Sequence, residues 1–550
     1  MNWELKKHKI LSPLKGPLVI AVLDGVGIGN KDRGDAVYNA RMPAFDALKK
    51  TGLGAELFAH GQYVGLPSNN DMGNSEVGHN ALGCGVVHKQ GALLVNQAIE
   101  SGDLYQGDTW KHMMSQLGEG NTLHFLGLLS DGNVHSHIKH FVAMCEQAKK
   151  DGVKSIALHA LLDGRDVGAK TAEKYIEQVE KLFKELKEHG VDARFASGGG
   201  RMVTTMDRYN ADWTIVKRGW DAHVRGDARH FRSAMDALTT LRNEDKDATD
   251  QTLPAFVIVD DNGKPKAPIR DGDAVINFNF RGDRAIQISR AFEENDFNDF
   301  ERRDRPKIMY AGMMEYDGDL KIPKNYLVNP PKIDQTMGEF LARNKKFQLA
   351  LSETQKFGHV TYFWNGNKSG FFDETSETYI EVPSDRISFE KKPEMKAKEI
   401  TDSLIQACQK RHYDFVRLNY ANGDMVGHTG DFGATVSALE HVDHELARLK
   451  QWVDAQEGVL VITADHGNAD DMIMKNKDGS FAKSSSGTDV PKTSHSLNKV
   501  PFVVYDSRGR GQYTLNHEDS NGIANISATC IELMGLIPPL DMRPSLLRFK

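Results

Sequence analysis

Leu18-Val19-Ile20-Ala21-Val22-Leu23-Asp24-Gly25 is the stretch whose reading decides the fold. Six consecutive apolar residues read as a short central strand covered on both faces, and the run stops abruptly at a carboxylate and a glycine. The same sequence of events, an apolar run followed at once by charged or glycine-rich residues, recurs at residues 123–129, 156–162, 274–280, 308–314, 415–420 and 459–463. Helical patterns lie between the runs. In residues 171–189, Tyr175, Ile176, Val179, Leu182, Phe183 and Leu186 fall at three- and four-residue spacing, and Gly190 follows as a stop. Strands alternating with such helices predict an α/β fold.

Chemistry in open α/β sheets gathers beyond the carboxyl ends of the strands. After the runs come Asp24; Asp131 with His135; Arg165 with Asp166; Arg281 with Arg284; Asp424 with His428; and Asp465 with His466. These fall into two classes. Acid plus histidine occupies the two ends of the chain and suits a metal, whereas arginine dominates from about residue 131 to 284 and suits an anion. The division predicts two domains, one inserted into the other. Linker candidates are the glycine-rich residues 83–91 and the proline-containing residues 324–332. They set the expected boundaries at 1–88 with 331–550 for the metal-bearing domain and 89–330 for the insert.

Gly73-Asn74-Ser75-Glu76-Val77-Gly78-His79 adds a nucleophile. A serine hydroxyl is almost wholly protonated at neutral pH and attacks phosphorus only with help from a base or a metal. Asp24, Asp424, His428, Asp465, His466 and His495 offer oxygen and nitrogen ligands without cysteine, a set that favours Mn²⁺, Co²⁺, Zn²⁺ or Mg²⁺. The plainer reading makes Ser75 the N-cap of a helix, with Glu76 favourable in its first turn. The two are compatible, because a helix N-terminus also receives phosphate. Arg165, Arg201, Arg281 and Arg284 lie in small, glycine-containing contexts, and Arg208 in Met-Asp-Arg-Tyr, where a guanidinium fork can grip a carboxylate or phosphate.

The 550 residues, 26% charged and 39% hydrophobic, are enough for two well-buried cores. A formal charge of −7 argues against nucleic acid or an anionic membrane as partner. Cys84, Cys145, Cys408 and Cys530 are too sparse and scattered for a disulfide framework and read as buried thiols in a reducing compartment. Lys6, Lys7 and Lys9 precede the first run, but that run is short and lacks a small-residue cleavage pattern, so a cytoplasmic protein is expected.

Taken together, Asp24-Gly, Gly-Asn-Ser75-Glu-Val-Gly-His, Ser130-Asp-Gly-Asn-Val-His135-Ser-His, Leu-Asp-Gly-Arg165-Asp166, Phe-Arg281-Gly-Asp-Arg284, Glu353-Thr-Gln-Lys356 and Thr-Ala-Asp465-His466-Gly-Asn resemble the cofactor-independent phosphoglycerate mutases of the alkaline-phosphatase superfamily. The motifs run in order across nearly the whole chain. The resemblance implies an alkaline-phosphatase-like α/β domain interrupted by a second, transferase-like α/β domain. It also implies interconversion of 3-phosphoglycerate and 2-phosphoglycerate, in glycolysis and gluconeogenesis, without bisphosphoglycerate. Matched motif by motif, it assigns Asp424, His428 and His495 to one metal and Asp24, Ser75, Asp465 and His466 to another, with manganese the expected ion. His135, Arg165, Asp166, Arg201, Arg208, Arg281 and Arg284 match substrate contacts, and Lys356 matches a lysine beside the nucleophile. A phosphoserine on Ser75, with Asp166 carrying the proton between two glycerate hydroxyls, is the expected chemistry, and a monomer the expected state. A phosphohydrolase or sulfatase of the same superfamily would lack the ordered arginines, a non-catalytic relative would not keep Ser75 and its ligands, and a phosphopentomutase would carry threonine at the nucleophile.

Overall fold

The computed structural model describes residues 3–550 except Pro67, 208–211, Asp304, 318–320, 330–332, Lys477, 485–486 and Arg510. Two compact units emerge, Met1–Gln90 with Lys332–Lys550 and Gly91–Pro331. Each is built on its own mixed sheet and its own apolar core.

The sheet of the first unit has seven strands, in spatial order Glu377–Val382, Gln348–Glu353, Phe415–Tyr420, Leu18–Leu23, Val459–Thr463, Val500–Asp506 and Leu53–Leu57. The first five run parallel, and the last two are added antiparallel. Leu18–Leu23 lies fourth from the parallel edge, in the middle of the seven, buried at all six positions as its unbroken apolar run requires. Its register sets Leu23 beside Tyr420 and Val22 beside Thr463, so the residues that follow all three strands emerge at one sheet edge.

The second unit carries eight strands in the order Tyr326–Val328, Met309–Met314, Ala274–Asn277, Leu123–Leu129, Ser155–Leu162, Asp192–Gly200, Phe256–Ile258 and Arg229–Phe231. The pairing is parallel except between Asp192–Gly200 and Phe256–Ile258. Helix Ala172–Glu188 covers this sheet with Tyr175, Ile176, Val179, Leu182, Phe183 and Leu186 buried. It stops where Gly190 takes φ +78°, a conformation that costs glycine no side-chain clash.

The structure corrects two expectations of detail. The run 274–280 is strand only to Asn277, because the side-chain carbonyl of Asn277 accepts the Asn279 N–H and Asn279 in turn accepts the Leu128 N–H, drawing the backbone out of the ladder. Residues 324–332 are not simply a linker. Tyr326–Val328 is an edge strand paired in parallel with Met309–Met314, and 330–332 lie outside the described residues. All four cysteines are free; Cys84, Cys145 and Cys530 are buried and Cys408 is half-buried. Among the described residues no helix is long and apolar enough to cross a membrane.

Several histidines are enclosed in the second unit as neutral imidazoles, among them His140, His159 and His223. Burial lowers His140 to about 3, with His137 and Lys139 adding to it, and His223 to about 3, with a smaller contribution from His124; it also drives His159 well below its ordinary value. The unfolded chain takes up these protons near pH 6.5 and the folded chain does not, so this unit keeps its full stability above that pH and loses it progressively as pH falls toward the folded values. Thermal unfolding followed between about pH 7 and 4.5 should therefore show a falling midpoint for the transition reported by Trp110 and Trp220. A midpoint independent of pH would contradict the enclosure of these imidazoles.

Candidate metal centre and arginine cluster

Helix Ser75–Cys84 begins at the sheet edge of the first unit. Asn74, not Ser75, is its N-cap: the Asn74 side chain accepts the N–H groups of Glu76 and Val77. The Ser75 hydroxyl is thereby left for other partners. Its Oγ lies 3.0 Å from His466 Nε2, 2.5 Å from Lys356 Nζ and 3.4 Å from Asp24 Oδ1. The glycines of the motif explain themselves. A Cβ on Gly78 would stand 2.6 Å from the Asp465 carbonyl oxygen, and one on Gly73 2.0 Å from that of Ala59, so the helix can reach the strand end only with hydrogen at both positions.

Around Ser75 the structure assembles every expected ligand, each following a strand or standing on a short segment hinged from one. Asp24 follows Leu18–Leu23, Asp424 sits in the turn of helix Asn422–Gly427 with His428 at its C-cap, and Asp465 and His466 follow Val459–Thr463. His495 returns after the polar excursion 475–492. That excursion is closed at its base by backbone hydrogen bonds from Lys492 to Met472 and from Met474 to Val490, and Ser496 then pairs with Gly467. Asp424 Oδ1 lies 3.0 Å from His428 Nε2 and 3.2 Å from His495 Nε2.

The hydrogen-bond arithmetic of this centre calls for cations. His428 Nδ1 donates to the Thr493 carbonyl at 2.6 Å and His495 Nδ1 to the Gly73 carbonyl at 2.7 Å. Each ring therefore turns its Nε2 inward, and the two Nε2 atoms are 3.0 Å apart beside the Asp424 carboxylate. Two backbone-anchored imidazoles converging with a carboxylate on one point make a usual arrangement of metal ligands. Asp465 Oδ2 is buried without a hydrogen-bond partner, and the Lys356 ammonium sits 2.8 Å from both Asp24 Oδ1 and Asp424 Oδ2. Two groups of ligand atoms lie close enough to share an ion, Asp424 with His466 and His495, and Asp24 with His79 and Asp465.

His79 is better explained without a metal. Its Nδ1 donates to the Ser75 carbonyl at 2.7 Å, and its Nε2 accepts from Asn419 at 3.1 Å. Both ring nitrogens are committed, and the ring braces the helix that carries Ser75. Asn419, Asn468 and Asp470 complete the surround: Asn419 donates to Asp24, Asn468 to Asp424, and Asp470 accepts from Gly27, Ser496 and Asn498. None of these was singled out from the sequence, although His79 and Asn468 lie inside quoted motifs. Their amide and imidazole chemistry is ordinary until the fold aims it.

The electrostatics follow from burial. Asp24 is pushed up to about 6, first by desolvation and then by Asp465, against the pull of Lys356. Burial alone would raise Asp424 as well, but His428 and Lys356 hold it well below the usual carboxylate range. His466 is lowered to about 3 by burial and by His495 stacked on it at 3.9 Å. His466 is thus held as a neutral imidazole among closely spaced carboxylates, a donor set suited to divalent cations.

In the second unit a different cluster forms, also at strand ends. His135 is buried, and after desolvation the groups that most depress its basicity are Arg201, Arg281, Arg284 and Arg165, in that order. Those four arginines therefore surround one imidazole. Arg201 is fully buried on Asp163 (2.8 Å) and Asp166, so Asp166 is ion-paired with Arg201. Arg281 Nε lies 3.1 Å from Asp283, and Arg284 donates to the Met206 carbonyl at 2.6 Å. Asp163, not singled out beforehand, is the hub: it accepts from Ser130 Oγ at 2.6 Å and from the N–H groups of Arg165 and Asp166. Asp131 turns instead to the surface and Lys174. Arg208 lies outside the described residues.

Because Gly78 is in contact with Asp465, Gly78→Ala should move helix Ser75–Cys84 away from the strand end, at a cost of about 1–3 kcal/mol. The expected result is a lower melting temperature together with a metal content reduced from that of the unaltered chain; an unchanged metal content would show that the helix position does not govern the centre.

A model of the Metalloenzyme superfamily matches residues 16–538. The chain is 52% identical over 553 residues to the 2,3-bisphosphoglycerate-independent phosphoglycerate mutase of Trypanosoma brucei brucei, covering all of both proteins. It is 47% identical over 554 residues to 2,3-bisphosphoglycerate-independent phosphoglycerate mutase 1 of Arabidopsis thaliana, covering 99% of this chain and 98% of the relative. Among solved structures, a Leishmania mexicana phosphoglycerate mutase crystallised at low cobalt concentration superposes with a TM-score of 0.97 at 50% identity, over 99% of this chain and 100% of that one. On this full-length likeness, carried by a chain whose buried ligands call for cations, the protein belongs to the family of 2,3-bisphosphoglycerate-independent phosphoglycerate mutases within the metalloenzyme superfamily.

Proposed function

We propose that this enzyme interconverts 3-phosphoglycerate and 2-phosphoglycerate by parking the phosphoryl group on Ser75. The observation that carries the reading is the setting of the Ser75 hydroxyl, at a helix N-terminus and within 3.4 Å of Asp24, His466 and Lys356. Two divalent cations, one held by Asp424, His428 and His495 and the other by Asp24, Ser75, Asp465 and His466, would polarise the phosphoryl oxygens and ease deprotonation of the hydroxyl. Manganese suits this mixed oxygen and nitrogen set, as do cobalt, magnesium and zinc.

In the proposed reaction the bond from Ser75 Oγ to phosphorus forms as the glycerate oxygen–phosphorus bond breaks. The departing glycerate oxygen takes up a proton, and the other hydroxyl gives one up when the phosphoryl group returns. Lys356 balances charge on the transferring group with an ammonium that needs no change of state. His135, Arg165, Arg201, Arg208, Arg281 and Arg284 hold the glycerate carboxylate and its phosphate. Asp166, paired with Arg201, moves the proton between the two hydroxyls. The same arginines favour a mutase over a phosphohydrolase, because a hydrolase has no need to retain the dephosphorylated product. No bisphosphoglycerate is required, since the enzyme stores the phosphoryl group itself.

Three outcomes test this. The Ser75→Ala variant should lose at least about 10⁴-fold in turnover of 3-phosphoglycerate assayed without bisphosphoglycerate, and should yield no phosphoserine peptide by mass spectrometry; activity near that of the parent would end the phosphoserine route. Replacing Asp166 with Asn should cut turnover by about 10²-fold or more with metal content unchanged, and undiminished turnover would remove Asp166 from the proton path. Metal analysis should find two equivalents of divalent ion per chain, falling toward one in His495→Ala; two full equivalents in that variant would take His495 out of the ligand set.

A further inference from the structure

A second polar system runs through the core of the second unit, and the proposed chemistry makes no use of it. His124, His159, Ser197, His223 and Thr205 are all buried, and with Asp273 they form an unbroken hydrogen-bonded chain. Asp273 stands just before strand Ala274–Asn277, at the opposite end of that strand from Arg281 and Arg284. His124, His159 and Ser197 stand on the three successive strands Leu123–Leu129, Ser155–Leu162 and Asp192–Gly200. A bulge between Leu158 and His159 brings Ser197 directly opposite His159. His223 comes from a single π-helical turn, Asp221–Arg225, packed against Asp192–Gly200.

The direction of every bond in the chain is fixed from one end. The Asp273 carboxylate can only accept, and it does so from the N–H groups of Thr122 and Arg270, both at 2.8 Å, and from His124 Nε2 at 3.1 Å. With neutral imidazoles, His124 Nδ1 must then accept from His159 Nε2 (2.9 Å), His159 Nδ1 from Ser197 Oγ (2.6 Å), Ser197 Oγ from His223 Nδ1 (2.7 Å), and His223 Nε2 from Thr205 Oγ1 (2.8 Å). Each donor and acceptor is used once along this path. The chain therefore ends by holding one hydroxyl, that of Thr205, in one orientation.

Thr205 is an unusual residue to find there. Its φ is +69°, a region that β-branched side chains avoid, and the Met206 N–H closes a 2.8 Å hydrogen bond on the Thr204 carbonyl around it. This is a three-residue γ-turn of the rare positive-φ kind. Such a turn persists only where its surroundings over-determine it. Gly219 makes room, since a Cβ there would meet Thr205 Oγ1 at 2.0 Å. Immediately beyond the turn, the Met206 carbonyl accepts from Arg284 and the Asp207 carboxylate accepts from Gln287; the chain segment leading into the turn carries Arg201.

We propose that the chain from Asp273 to Thr205 is a positioning device, holding the Thr205 turn in its strained form and thereby setting the arginines around His135 for the substrate. Thr205 touches no substrate in this scheme; it acts through Arg284 and Arg201. The inference rests on the function proposed above only in naming phosphoglycerate as the ligand of those arginines.

The test uses the metal-loaded full chain. Nitrogen-15 labelling of histidine should report His124 and His159 as Nε2–H tautomers and His223 as the Nδ1–H tautomer. Thr205→Val, equal in shape but unable to donate, and Ser197→Ala, which cuts the chain at its middle, should each raise KM for 3-phosphoglycerate by about 10- to 100-fold with a smaller change in kcat. Thr205→Ser should restore KM to within about threefold. A purely structural role would lower the melting temperature while leaving the KM of the folded enzyme unaltered, and that result overturns the proposal, as do the opposite tautomers. If the unaltered enzyme does not turn over phosphoglycerate, the functional reading falls by itself. The backbone amide signals of Arg201, Met206 and Arg284 then decide the positioning role: they should shift in Thr205→Val and Ser197→Ala and return in Thr205→Ser, and unmoved signals overturn it.

Discussion

Buried carboxylates and imidazoles crowded around one point are the constraint on which the candidate metal centre depends. His428 and His495 anchor Nδ1 on backbone carbonyls and turn Nε2 toward each other and toward Asp424. Asp24 and Asp465 stand nearby under the same burial. In a medium where an unpaired charge is costly, such a group is tolerable only around positive charge. Lys356 supplies one such charge from the chain itself, and divalent cations would supply the remainder.

That demand explains local features that otherwise look arbitrary. Gly73 and Gly78 let a helix start against a strand end, Asn74 relieves Ser75 of capping, and His79 braces the helix by satisfying both of its own nitrogens. Asn419, Asn468 and Asp470 orient the ligands rather than joining them. The arginine cluster solves the converse problem. Four guanidinium groups lie within electrostatic reach of a histidine kept neutral, and Asp163, Asp166 and Asp283 pair with them so that the cationic groups can coexist.

Much of the fold was legible because central parallel strands are buried on both faces and so leave uninterrupted apolar runs. The strands at residues 18–23, 123–129, 415–420 and 459–463 have the same limits in the chain and in the structure. Edge strands lack that signature. Tyr326–Val328 is three residues long and lies in a proline-containing stretch whose composition reads as linker. The candidate ligands were legible because a carboxylate or imidazole directly after a buried strand has few other reasons to be there. His79 and the buried chain from Asp273 to Thr205 were not, because a histidine, serine or threonine inside a helix, strand or turn carries no mark of what it faces.

By itself, then, the sequence determined the α/β class, the alternation of strand and helix, the separation of acid and histidine from arginine, and the family to which the ordered motifs belong. These are properties of spacing and residue type, and spacing survives projection onto one dimension. The tertiary structure alone decided which atoms meet: that Asn74 caps and Ser75 does not, that Asp166 takes Arg201, that His79 braces, and that Thr205 is held in a conformation its side chain disfavours. Those outcomes depend on strand register and on the direction of each hydrogen bond, and both are set by how the chain packs in three dimensions.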